Sequence, residues 1–127
     1  MSKFIINHAS FEVAHLKKSL AFYVPLLHLL KFKVSIEKDW AYFTSKDGFI
    51  FNLSEASKAS ERTKNVHLAF SAKTSRKVVD QFYELALASG GKSNGKPGIR
   101  KNYAPDYYAA FVIDPDGNNI EVVARNK

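Results

Sequence analysis

A succession of local patterns that occurs twice limits this chain more than any other feature. Residues 4–13 alternate with period two toward their end. Ala9, Phe11 and Val13 share one face, and His8, Ser10 and Glu12 the other. That is a half-buried strand. Over 15–24 the period changes: Leu16, Leu20, Tyr23 and Leu27 form a helical stripe, with Lys17 and Lys18 off it. Pro25 predicts an end or a bend there, because proline lacks the helical N–H and crowds the preceding turn. Three short strand patterns follow at 31–37, 40–45 and 48–54, the last two joined by a tight turn at Lys46-Asp47-Gly48. Residues 55–64 lack large apolar side chains and read as a linker or mobile loop.

The same succession then returns. Residues 66–70 form a strand. Thr74 or Ser75 caps a helix over 75–89, with Val78, Val79, Phe82, Leu85 and Ala86 facing the core. Gly90-Gly91 supplies a left-handed end. Residues 91–106, rich in Gly, Lys and Asn, read as a loop. Strands at 107–113 and 119–124 are joined by Asp114-Pro115-Asp116-Gly117-Asn118, in which Pro presets the turn and Gly permits positive φ. One domain of 1–127 built from two halves, about 1–57 and 62–125, is expected. The class is α+β with mostly antiparallel sheets, not a doubly wound parallel sheet.

Composition narrows the chemistry. A chain of 127 residues with 46% hydrophobic residues buries enough surface to fold without staples. The absence of Cys excludes a disulfide scaffold, a zinc ribbon and a thiol nucleophile. Net charge is +7, with pI near 9.6, so anionic partners are favoured. There is no basic recognition helix or aromatic–basic motif, so a nucleic-acid partner is not expected. The most apolar stretch, Leu20 to Leu30, carries Pro25 and His28 and is too short to span a bilayer. A cytoplasmic location without membrane attachment is expected.

The chemistry-bearing residues fall at matching places in the halves. His8 and His67 lie on the first strands, and Asn52 and Glu121 on the last. Each points opposite to its large apolar strand neighbours, so all four can face a polar sheet surface. Two imidazoles and a carboxylate are the donor set of a facial triad for Fe, Mn, Zn, Ni or Co. Two strand histidines with local partners satisfy the same pattern. Asn52 offers only a neutral amide oxygen. Lys92, Lys96, Arg100 and Lys101 suit a carboxylate, phosphonate or glutathione conjugate, or are ordinary solvated cations. Tyr103, Tyr107 and Tyr108 offer hydroxyls, with Tyr103 the candidate for substrate contact. Trp40 and Tyr42 share a strand face and either line a pocket or pack in the core. His15 and His28 have no counterparts and read as structural.

Several stretches resemble the vicinal oxygen chelate superfamily, the glyoxalase, bleomycin-resistance and extradiol dioxygenase group. They are Asn7-His8, Ser19-Leu20-Ala21-Phe22-Tyr23, His67-Leu68-Ala69-Phe70, and the run from Tyr107 through Asp114-Pro115-Asp116-Gly117-Asn118 to Ile120-Glu121. The resemblance covers nearly the whole chain. It implies paired βαβββ modules with curved sheets around a cleft. It also implies one divalent metal ion on His8, His67 and Glu121, and a homodimer. Asn52 stands where many glyoxalases carry a fourth, acidic ligand. One candidate base for glyoxalase I chemistry is therefore missing, and Glu121, the remaining catalytic candidate, would have to leave the metal to act. The His-His-Glu set resembles the fosfomycin-resistance thiol transferases and the extradiol dioxygenases instead.

Two functions follow as expectations. One is a metal-dependent lyase, transferase or dioxygenase acting on a small anionic or thiol-containing substrate, with Asn52, Lys96, Arg100 and Tyr103 contacting it. The other is a metal-free protein of the bleomycin-resistance type that sequesters a ligand between aromatic walls.

Overall fold

A computed structural model describes residues 5–126. The backbone falls into two compact units that divide between Thr63 and Lys64. In the first, β1 (His8–Val13) is followed by α1 (Leu16–Leu29), β2 (Lys33–Ile36), β3 (Trp40–Thr44) and β4 (Ile50–Glu55). In the second, β5 (His67–Ser71) is followed by α2 (Arg76–Ala88), β6 (Lys92–Ile99), β7 (Tyr108–Ile113) and β8 (Asn119–Ala124). The two βαβββ modules are thus present, and the class is α+β.

The sheets have the same topology, β1-β4-β3-β2 and β5-β8-β7-β6. In each, the first and last strands pair in parallel and the other pairings are antiparallel. The parallel pair arises because a helix must cross between the first strand and the rest of its module.

One face of each sheet is apolar. In the first unit, Phe11, Phe43, Phe51 and Leu53 are buried with Phe22, Tyr23, Leu26 and Leu27 of α1. Phe51 meets Phe11 edge-on at 5.1 Å, geometry that aromatic quadrupoles favour, and Tyr23 at a tilt at 5.3 Å. In the second unit Phe70, Val112, Ile120 and Val122 are buried with Val79, Phe82 and Ala86 of α2. Strand alternation sends the other side chains of both sheets to the opposite face.

Three expectations need correction. The first helix does not end at Pro25 but runs through it to Leu29. The apolar stripe continues past the proline, and burial of Leu26 and Leu27 outweighs the lost backbone bond. Residues 55–64 are not a free linker. They contain a short 3-10 turn, Ala59–Glu61, and Thr63 is tied twice to Glu12 of β1, through its backbone N–H at 2.7 Å and its hydroxyl at 2.8 Å. Half of the expected loop over 91–106 is β6, Lys92–Ile99, which pairs with β7 through two register shifts around Gly95. Gly and Pro hide its period of two, and β7 supplies the ladder bonds.

Among the described residues, no helix is long and apolar enough to cross a membrane.

Candidate functional site

His67 opens β5, and Glu121 lies on the adjacent β8. The register pairs His67 with Asn119 and Ala69 with Glu121. His67 and Glu121 are therefore diagonal neighbours on one face. Ala69 has only a methyl group, which cannot compete for the carboxylate. The His67 Nε2 stands 2.8 Å from Glu121 Oε1. The Glu121 side chain is 3% exposed and the His67 side chain 50%. A carboxylate buried to that degree requires partners, since an unpaired one costs several kcal/mol.

The second oxygen, Oε2, accepts the Tyr107 hydroxyl. Burial, followed by the hydrogen bond to Glu121, pushes the Tyr107 phenol up to about 12. Its ring sits edge-on to Tyr103 at 4.9 Å and lies 5.4 Å from the Arg125 guanidinium. Arg125 Nε and Nη2 both donate to Asp106 Oδ1, and Asp106 Oδ2 accepts the Asn126 N–H. These bonds hold the Asp106 carboxyl down at about 2.

Phe111 pairs with Glu121 across β7 and β8, so its ring shares the face. Arg100 lies over that ring at 5.2 Å and donates from Nη2 to the Lys96 carbonyl at 2.6 Å. Two glycines make the room. A Cβ at Gly95 would stand 3.1 Å from Arg100 Nη2, and one at Gly98 would stand 3.2 Å from Nη1. Lys96 is exposed. Tyr103 is 56% exposed.

The first unit carries a topologically equivalent cell with different partners. His8 pairs in register with Ile50, and Ser10 with Asn52. Asn52 therefore occupies the place that Glu121 has in the second unit. Its amide donates to Ser10 Oγ at 3.1 Å, while His8 Nδ1 is 2.8 Å from Asn7 Oδ1. Serine replaces alanine at the intervening position and engages the amide. Tyr42, opposite Asn52, stacks on Trp40 at 5.2 Å. Trp40 is 43% exposed, so it is not a core residue.

The structure thus brings His67 and Glu121 together. Among the described residues, no group of three His, Asp or Glu side chains gathers into a metal cage. The donor chemistry of the pair still fits a divalent ion of intermediate softness: an imidazole nitrogen beside an ionisable carboxylate. The buried Asn119 Oδ1 has no hydrogen-bond partner, and Asn119 is the residue opposite His67.

The sequence marked Tyr107 only as one of three tyrosines offering a hydroxyl, not as a partner of Glu121, and pointed to no role for Ser10, Asn119 or Arg125. One signal for Tyr107 was present. The five-residue turn 114–118 sets Phe111 opposite Glu121, and period two carries that face back toward residue 107.

Comparison with known proteins places the fold in a family. The family model described as "Glyoxalase/Bleomycin resistance protein/Dioxygenase superfamily" matches residues 5–122. A metallothiol transferase FosB from Shouchella clausii is 28% identical over 119 residues, 92% of this chain and 77% of that protein. A glyoxalase/bleomycin resistance protein from Albidiferax ferrireducens superposes with a TM-score of 0.82 at 28% identity, covering 96% of this chain and 99% of its own. A putative glyoxalase from Bacillus halodurans shares the fold, with a TM-score of 0.74 at 23% identity and 96% of each chain covered. The chain belongs to the glyoxalase/bleomycin resistance protein/dioxygenase superfamily.

Proposed function

We propose that the protein is a divalent-metal-dependent enzyme acting on a small, oxygenated, anionic substrate. The observation that carries this reading is the buried Glu121 carboxylate beside the half-exposed His67 imidazole, 2.8 Å apart on one sheet face. His67 and Glu121 hold the ion, and the family resemblance implies His8 as the third donor. When bound, the ion supplies Lewis-acid stabilisation of negative charge on a substrate oxygen.

The chain's own residues do the rest. Arg100, held over Phe111, and exposed Lys96 orient the anionic end of the substrate. Tyr103 contacts the substrate through its hydroxyl, and Asn52 through its amide. Among the three family chemistries, thiol transfer is favoured over glyoxalase-type isomerisation. Asn52 supplies no second carboxylate base, and FosB is a named metallothiol transferase. Glu121, engaged with Tyr107 and His67, serves better as a ligand than as a mobile base. A homodimer is the proposed assembly.

The test is a calorimetric titration of untagged protein with Mn, Fe(II), Ni and Zn, for wild type and His67→Ala. One tight site per chain, weakened at least 100-fold in the variant, is expected. Assays of thiol transfer, ring cleavage and isomerisation on the loaded protein then separate the reactions. If wild type binds none of these ions, the metal mechanism is wrong. The second reading, a metal-free ligand-sequestering protein, then takes its place; the half-exposed Trp40–Tyr42 stack favours it.

A further inference from the structure

We infer that Tyr107 is a positioning residue for Glu121: it fixes one carboxylate oxygen so that the other alone faces His67 and any bound ion. This rests on the proposed role of Glu121 as a metal ligand. The two oxygens of Glu121 have different partners. Oε2 accepts the Tyr107 hydroxyl, and Oε1 stands 2.8 Å from His67 Nε2. A carboxylate so divided cannot rotate to offer both oxygens without breaking a hydrogen bond in a buried setting, where the loss is costly.

The tyrosine is itself held. Its backbone N–H donates to the Ala104 carbonyl at 3.2 Å, and its carbonyl accepts the Arg100 N–H at 2.7 Å. Tyr103 packs on its ring edge-on, and Arg125 lies 5.4 Å from the ring centre. Arg125 is anchored at its backbone, where its N–H donates to the Lys73 carbonyl at 2.8 Å, and at its guanidinium by Asp106. The phenol oxygen is thus pinned from the turn before β7 and from the end of β8. Such outer partners orient a ligand and raise affinity, and their removal costs about 10–100-fold in metal binding.

The test uses the full chain and Mn(II) and Co(II) as probes. Tyr107→Phe keeps the ring and removes only the donor. It should weaken Mn(II) binding about 10-fold or more, followed by the electron paramagnetic resonance signal of free Mn(II). It should also change the visible absorption bands of bound Co(II), because a released carboxylate changes its mode of binding. In a Glu121→Gln background the same substitution should add little, since the two residues act as a unit. A purely structural tyrosine would lower the melting temperature and leave the Mn(II) affinity and Co(II) bands as in wild type; that result overturns the inference and leaves Glu121 as a ligand. Failure of wild type to bind either ion overturns the ligand reading and this inference with it. Should Tyr107→Phe not fold, Arg125→Ala takes its place. At least a threefold loss of Mn(II) affinity is then expected, and no loss counts against the inference.

Discussion

A phenol that is partly buried and donates to a carboxylate keeps its proton longer than a free one, and this gives Tyr107 a measurable signature. Its value of about 12 exceeds the ordinary 10.0, so its contribution to stability is complete below pH 10 and is lost as pH rises through 12. Absorbance titration near 295 nm should show that a tyrosine ionising at about 12 is lost in Tyr107→Phe. Asp106 has the opposite sign. Its carboxyl is held at about 2 against an ordinary 3.8. Its contribution is present above pH 3.8 and lost as pH falls through 2. Carboxyl chemical shifts should place Asp106 at about 2 in wild type and higher in Arg125→Ala, where the Asn126 N–H still holds it down in part. At this scale the candidates His67 and Glu121 were legible as donor types on matching strands. That Ser10 engages Asn52 while Ala69 leaves Glu121 to His67 was not, because it depends on which strands become neighbours.

Helix ends show how much an element owes to its own residues. Both helices close with the same bond, Phe32 N–H to the Leu27 carbonyl and Gly91 N–H to the Ala86 carbonyl, each at 2.9 Å. The residue that turns left-handed is Gly90 in one and Lys31, at φ 70, in the other. A side chain there carries a cost that glycine avoids. Lys31→Gly should stabilise the protein by about 1 kcal/mol in denaturant titration. At the other end of α2, the Ser75 hydroxyl accepts the Val78 N–H at 3.1 Å. Ser75→Ala should cost about 1 kcal/mol by the same measurement. The cap and the glycine end were legible because both are local. Passage of α1 through Pro25 and the pairing of β6 were not. The first is decided by burial of Leu26 and Leu27, the second by ladder bonds from β7.

Each unit of the molecule has an apolar core between its helix and its sheet, and neither core includes the candidate metal donors. Chelation should therefore leave the far-ultraviolet circular dichroism of the protein unchanged. A bound ion still stabilises by mass action: free ion at 100 times its Kd should raise the unfolding free energy by about 2.7 kcal/mol, seen as a higher Tm that chelator reverses. The effect should vanish in His67→Ala. The sequence alone determined the doubled strand–helix–strand order, the apolar face of each sheet and the candidate donors. Those depend on periodicity, turns and side-chain chemistry carried by a few adjacent residues. Only the tertiary structure decided that Glu121 shares its oxygens between His67 and Tyr107, that Arg100 lies in a slot cleared by Gly95 and Gly98, and that Asn52 turns to Ser10. Each of these joins residues brought together by strand pairing or by the folding back of a bulged strand, and register between strands is set by the packing of whole elements.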